Sequence, residues 1–217
     1  MRRKGSIFRE LPFLVVVALV VSLLAKTFIV QFFYIPSGSM ENTLQIQDRV
    51  AVNRLPFLSK NISRGDVVVF RDPANWLPEA SDNSSSPIIA KIKTGLVAVG
   101  VLPNPAKQYL VKRVIGVAGD HVVCCTKDGL ITVNGTPITE PYIFAGNAPS
   151  DLNFDVTVPK RKIWVMGDHR GASADSRYHQ DDINKGMVPI SRVTGRVFAV
   201  IWPLKSAAYI PQIDVVK

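Results

Sequence analysis

The sequence predicts a mainly β domain, antiparallel and barrel-like, preceded by one N-terminal transmembrane helix. Three observations predict it. Residues 11–30, LPFLVVVALVVSLLAKTFIV, are apolar apart from Ser22, Lys26 and Thr27. Beyond them, short runs rich in β-branched and aromatic residues recur between Gly-Asp and Asn-Gly turn signals. No alternation of strands with helices appears, which argues against an α/β fold.

The anchor comes first. At about 1.5 Å per residue, a helix needs about 20 residues to cross the hydrocarbon core. The stretch 11–30 is that long if Lys26 snorkels to the far interface. A cleaved signal peptide is the competing reading, because a basic region precedes the apolar one. The apolar run is long, however, and no small-x-small site precedes a mature start, so an uncleaved anchor is expected. Arg2, Arg3, Lys4 and Arg9 lie before the span, and after Lys26 no base occurs until Arg49. The positive-inside rule then places residues 1–10 in the cytoplasm and the domain of residues 31–217 on the extracytoplasmic side. The aromatic stretch TFIVQFFYI (27–35) is expected at headgroup level.

The outer domain reads as strands at 66–70, 109–117, 121–125, 130–134, 162–166 and 196–202. Residues 71–87 read as a polar loop and 88–101 as a short helix. The chain carries a net charge of +9. No basic block is interleaved with aromatics, so no nucleic-acid surface is expected, and anionic lipid is a simpler partner for the excess. Cys124 and Cys125 are adjacent and His121, His169 and His179 form no ligand pattern, so neither a metal nor a cofactor is expected. The two cysteines read as structural residues of a strand, with their pairing left open.

The chemistry begins at IPSGSM (35–40), directly after the apolar segment. A serine hydroxyl is a weak nucleophile until a base takes its proton. His169 beside Asp168 invites a serine–histidine reading, but neighbours on an extended strand face opposite ways. The G-x-S-x-G elbow is also missing. Lysine is the other candidate. Lys112 lies mid-strand in QYLVKRVIGV, and alternation requires either Lys112 or Arg113 to point to the covered side. Burial can lower a lysine pKa from about 10.4 toward neutrality, which arginine does not do. Taken alone, Lys112 reads more simply as a solvated strand lysine. A tethered β domain that binds exported peptides without cutting them is a third, non-enzymatic reading.

Three further stretches align with Ser39 and Lys112: RGDVVVF (64–70), VKRVIGVAGD (111–120) and MGDHRGASADSR (166–177). In that order, after an anchor and IPSGSM, the chain resembles the bacterial type I signal peptidases, a resemblance that runs from the anchor to the final strand and leaves 71–108 and about 137–160 as variable loops. The resemblance implies a membrane-bound serine endopeptidase that removes signal peptides from secretory precursors, with Ser39 as nucleophile and Lys112 as general base. It further implies that Ser37 helps the Ser39 backbone N–H stabilise the oxyanion and that Ser173 orients the lysine. Asp168, Asp175 and Arg177 become supporting residues. Ile35, Pro36, Met40, Leu44 and Val111 are implied to line shallow pockets for small residues at the first and third positions before the cut. One stretch departs from the family, which usually has Asn-Arg-Asp-Asn-Ser where this chain has His169-Arg170-Gly171-Ala172-Ser173. That leaves the loop's hydrogen bonding to be found. The archaeal and endoplasmic-reticulum relatives carry histidine at the Lys112 position, so the bacterial type fits better.

Overall fold

The computed structural model describes residues 7–54, 62–77, 108–213 and 215, and in its first helix the side chains of residues 10–21. That helix, α1, spans Ile7–Phe28. The strands follow as β1 (Val30–Tyr34), β2 (Arg49–Asn53), β3 (Val67–Arg71), β4 (Tyr109–Gly116), β5 (His121–Cys124) and β6 (Ile131–Val133). After them come β7 (Thr136–Pro137), β8 (Phe154–Thr157), β9 (Lys162–Met166), β10 (Val188–Pro189), β11 (Val193–Trp202) and β12 (Ala208–Tyr209). The fold is mainly β, and its strand pairs are antiparallel.

The larger sheet runs β1-β2-β11-β3-β4-β9-β10, with β12 on β11, and the smaller runs β7-β6-β5-β8. Both orders are open among the described residues, so the barrel-like expectation is corrected: the large sheet curls without closing there. Its curl is measurable. Phe33 on β1 and Tyr109 on β4 lie four strands apart, a separation of about 19 Å in a flat sheet. Their rings are 5.0 Å apart. The register shifts along β11, at Val193/Gly195, Val197/Ala199 and Val200/Trp202, are bulges that add twist where the sheet bends.

The curl encloses a core of Phe33, Ile35, Met40, Leu44, Val50 and Val69 with their neighbours. A second core, with Val68, Phe70, Trp76, Leu110 and Val165, covers another part of the sheet. A third, centred on Trp164, Ile131 and Phe154, packs the small sheet onto β4 and β9. Asn134 and Gly135, both at positive φ, make the two-residue turn between β6 and β7 that the Asn-Gly signal requires.

Strands β1, β2, β7, β8, β10 and β12 do not figure in the sequence prediction. VQFFY reads as membrane exit, and FDVT falls inside the segment taken as a variable loop, yet both pair in register. The predicted span also ends early, because Val30 already belongs to β1. Among the described residues no helix is long and apolar enough to cross a membrane. The predicted helix at 88–101 lies outside the described residues. The sulfurs of Cys124 and Cys125 are bonded to each other at the end of β5.

Candidate active site

Ser39 stands in the long loop joining β1 to β2. The loop's base is closed by Ile35 N–H donating to the Asp48 carbonyl and Gln47 N–H to the Ile35 carbonyl, each at 2.9 Å. Inside it, the Met40 carbonyl accepts from the N–H of Thr43 and Leu44, giving one helical turn. Met40 and Leu44 sink from that turn into the core under the sheet, while Pro36 and Ser37 stay exposed. The loop is therefore fixed by its apolar side and presents its serines on the other.

Lys112 lies in β4, whose residues 109–113 pair with β3. Its Nζ is 2.7 Å from Ser39 Oγ, across 73 residues of sequence. Both side chains are buried, Lys112 at 4% exposure. Burial pushes the lysine down from 10.5 to about 8, against the upward pull of the Asp175 and Asp168 carboxylates and with a smaller downward push from Arg177. A free amine at this distance can accept the hydroxyl proton. The solvated strand lysine is overturned by this burial. Arg113 is buried as well, at 1% exposure, so both faces of β4 are covered here.

Desolvation wins at Lys112 because arginines already hold the nearby carboxylates. Asp168 takes a two-point contact from Arg113 at 2.8 and 2.6 Å. Arg113 also donates to the Gly65 carbonyl and lies 4.0 Å over the Tyr142 ring. Asp175 takes the same kind of contact from Arg177, at 2.8 and 2.9 Å, and accepts from the Gly167 N–H. Ser173 gives its proton to Asp175 at 2.8 Å, a partner that the resemblance does not supply. Such planar, charge-assisted pairs are the strong class of hydrogen bond, and they leave little free negative charge facing the lysine.

His169 is held by partners other than the Ser39 hydroxyl. Its Nδ1 is 2.8 Å from Glu41 Oε2, its ring stacks on Phe144 at 4.1 Å, and its backbone N–H donates to the Ser39 carbonyl at 3.2 Å. The hydrogen bonds of the unusual HRGAS stretch are thereby located. Arg170 pairs with Glu140 and donates to the carbonyls of Gly167 and Pro149, and Gly171 N–H donates to Asn147.

A cleft of about 280 Å³ opens beside the serine–lysine pair. Of the pocket residues expected, Ile35, Pro36, Met40 and Val111 line it, as does Ser37. Leu44 does not: it is fully buried in the core beneath. The wall also includes Phe33, Tyr109, Leu77, Ala172 and Ala174.

The family model described as "Signal peptidase, peptidase S26" matches residues 8–202. The chain belongs to this signal peptidase family. It is 37% identical over 228 residues to the probable signal peptidase I of Mycobacterium leprae (strain TN), covering 93% of this chain and 78% of that one. It is also 37% identical over 220 residues to signal peptidase I of Mycobacterium tuberculosis (strain ATCC 25618 / H37Rv), covering 92% and 74%. To the probable signal peptidase I-2 of Synechocystis sp. (strain PCC 6803) it is 31% identical, covering 90% and 73%.

Within this family member, several residues around the pair escape a reading of sequence alone. Arg113 and Thr43 meet Asp168 from 55 and 125 positions away. Gly167 is the clearest omission. A Cβ there would lie 2.2 Å from Ser173 Oγ and 2.5 Å from the Ser39 carbonyl oxygen. Only glycine lets the chain leaving β9 pass between the Ser39 backbone and Ser173, and its place in the Met-Gly-Asp stretch was the available signal.

Proposed function

We propose that this chain is a membrane-anchored serine endopeptidase that removes signal peptides from exported precursors, with Ser39 as nucleophile and Lys112 as general base. The observation that carries the proposal is the 2.7 Å approach of a buried, pKa-depressed lysine to a loop serine beside an apolar cleft. Lys112 takes the Ser39 proton as Oγ attacks the scissile carbonyl. It then gives that proton to the leaving amine, and an ester acyl-enzyme remains. Next, Lys112 deprotonates a water that attacks the ester; the acyl carbon–Oγ bond breaks, and Lys112 returns that proton to Ser39 Oγ as the carboxylate product leaves. The Ser39 backbone N–H and the Ser37 hydroxyl stabilise the oxyanion, a role typically worth about 3 kcal/mol per donor. Asp168, Asp175, Arg177 and Ser173 hold the frame around the amine.

The substrate enters extended. β4 pairs with β9 only from Arg113 onward, so among the described residues Tyr109–Lys112 have no β9 partner on that side. An incoming strand can pair there, with its side chains alternating into the cleft. Ile35, Pro36, Met40 and Val111 leave room for small residues at the first and third positions before the cut.

The membrane anchor rests on α1. From Leu11 to Val21 its side chains are exposed all round and apolar, and a helix of that kind suits lipid. Phe32, Tyr34, Trp202 and Tyr209 are exposed on neighbouring strands just beyond it, where aromatic rings suit the headgroup layer.

The test uses the full chain in detergent and a synthetic peptide with an Ala-x-Ala site. Wild type is expected to cut after the second alanine, while Ser39→Ala and Lys112→Ala each lose at least about a thousandfold in rate but still bind the peptide. Near-normal cutting by either variant would remove the pair from the mechanism.

A further inference from the structure

The segment that leaves β3 is held in place by its own side chains. The Asp72 carboxylate accepts the backbone N–H of Ala74, Trp76 and Leu77 at 3.0, 2.8 and 2.8 Å, folding residues 72–77 into a compact turn. Trp76 is then clamped on three sides. Its Nε1 donates to Asp182 at 2.7 Å, its ring stacks on His179 at 4.4 Å, and it meets Phe70 edge-on at 6.0 Å. His179 is tied in turn to the framework of the site, its Nδ1 lying 2.8 Å from the Asp175 carbonyl. The Pro73 carbonyl accepts from Asn184 at 3.4 Å. An indole fixed by a hydrogen bond and a stack does not shift cheaply, so the residue after it has a defined place. That residue is Leu77, which packs with the core containing Leu110 and lines the cleft.

We infer that Leu77 is a specificity-determining residue: it builds one wall of the cleft and limits the size of the substrate side chain admitted beside Ser39 and Lys112. The inference rests on the peptidase reading above. The chemistry follows from the neighbours. Ala172 and Ala174 end in single methyls, whereas Leu77 reaches further and belongs to a different core from Ile35 and Met40. The cleft thus has a wall on each core, and truncating Leu77 widens it without touching the serine, the lysine or the residues that hold them. A polar loop base becomes part of the substrate site.

Two peptide series test this on the full chain in detergent, carrying Ala, Val or Leu at either the first or the third position before the cut. Leu77→Ala is expected to raise kcat/KM for the Val or Leu peptide relative to the Ala peptide by about tenfold at one of the two positions. Leu77→Phe should move the same ratio the other way, and the pH at half-maximal rate should not move in either variant. Ratios unchanged at both positions in both variants would overturn the inference. If wild type cuts no peptide, the peptidase reading fails, and the same series is read as Kd ratios by fluorescence anisotropy in the Ser39→Ala background. Kd ratios that shift with Leu77 would support the wall independently of cleavage, and flat ones would overturn it.

Discussion

Lys112 carries a conflict between stability and chemistry. A lysine held at about 8 binds fewer protons folded than unfolded between about 8 and 10.5, so stability rises with pH through that window. Below it, the full cost of burying the ammonium is present. Lys112→Met, similar in length and uncharged, is therefore expected to raise the Tm at pH 7, by on the order of 2 kcal/mol in stability, and to abolish cleavage. Calorimetry at pH 7 and pH 10 checks it: the gain over wild type should shrink at the higher pH. Arg177 acts on the same titration, since its charge pushes the lysine down. Arg177→Gln should move the rise of activity to higher pH, and Arg177→Lys should move it less. Ser39 and Lys112 were legible in the sequence because their residue types are few and their flanking stretches distinctive. The lysine's burial was not, since alternation along a strand does not reveal that both of its faces are covered.

The strands and loops explain why the pair meets. The turn at Met40 and Leu44 roots the Ser39 loop in the core, and the chain leaving β9 passes against it at Gly167. Gly167→Ala is expected to displace the Ser39 carbonyl and cut kcat by at least about a hundredfold, with a near-wild-type far-UV spectrum. Asp168→Asn leaves the Arg113 guanidinium buried without its counter-charge and should cost about 3–5 kcal/mol by urea unfolding. His169→Gln should retain most activity, because the His169 contacts to the Ser39 loop are its backbone N–H and a side-chain link to Glu41. Six of the strands could be read from β-branched runs and Gly-Asp turns. VQFFY and FDVT could not, because a membrane exit and a surface loop use the same residues. Leu44 shows the complementary case: the resemblance implies that it lines the pocket, but the helical turn sets it in the core.

For the whole molecule, the curl of the large sheet is what brings β1, with its loop, against the middle of β4. That long-range proximity, four strands apart in sheet order, comes with register shifts along β11 that no local pattern in the sequence announces. The ordered set of stretches nevertheless identified the family, because loops of any length can separate them without changing which strands pair. The proposed anchor sets the height of the site, so the full chain is expected to pellet with membranes and to resist extraction by carbonate. The central claim, that the Lys112 amine activates Ser39, is tested most directly by kcat/KM against pH for the full chain on the Ala-x-Ala peptide. A single rise half complete near pH 8 is expected, following the lysine. A rise centred near 6.5, the ordinary histidine value, that disappears in His169→Gln would contradict it.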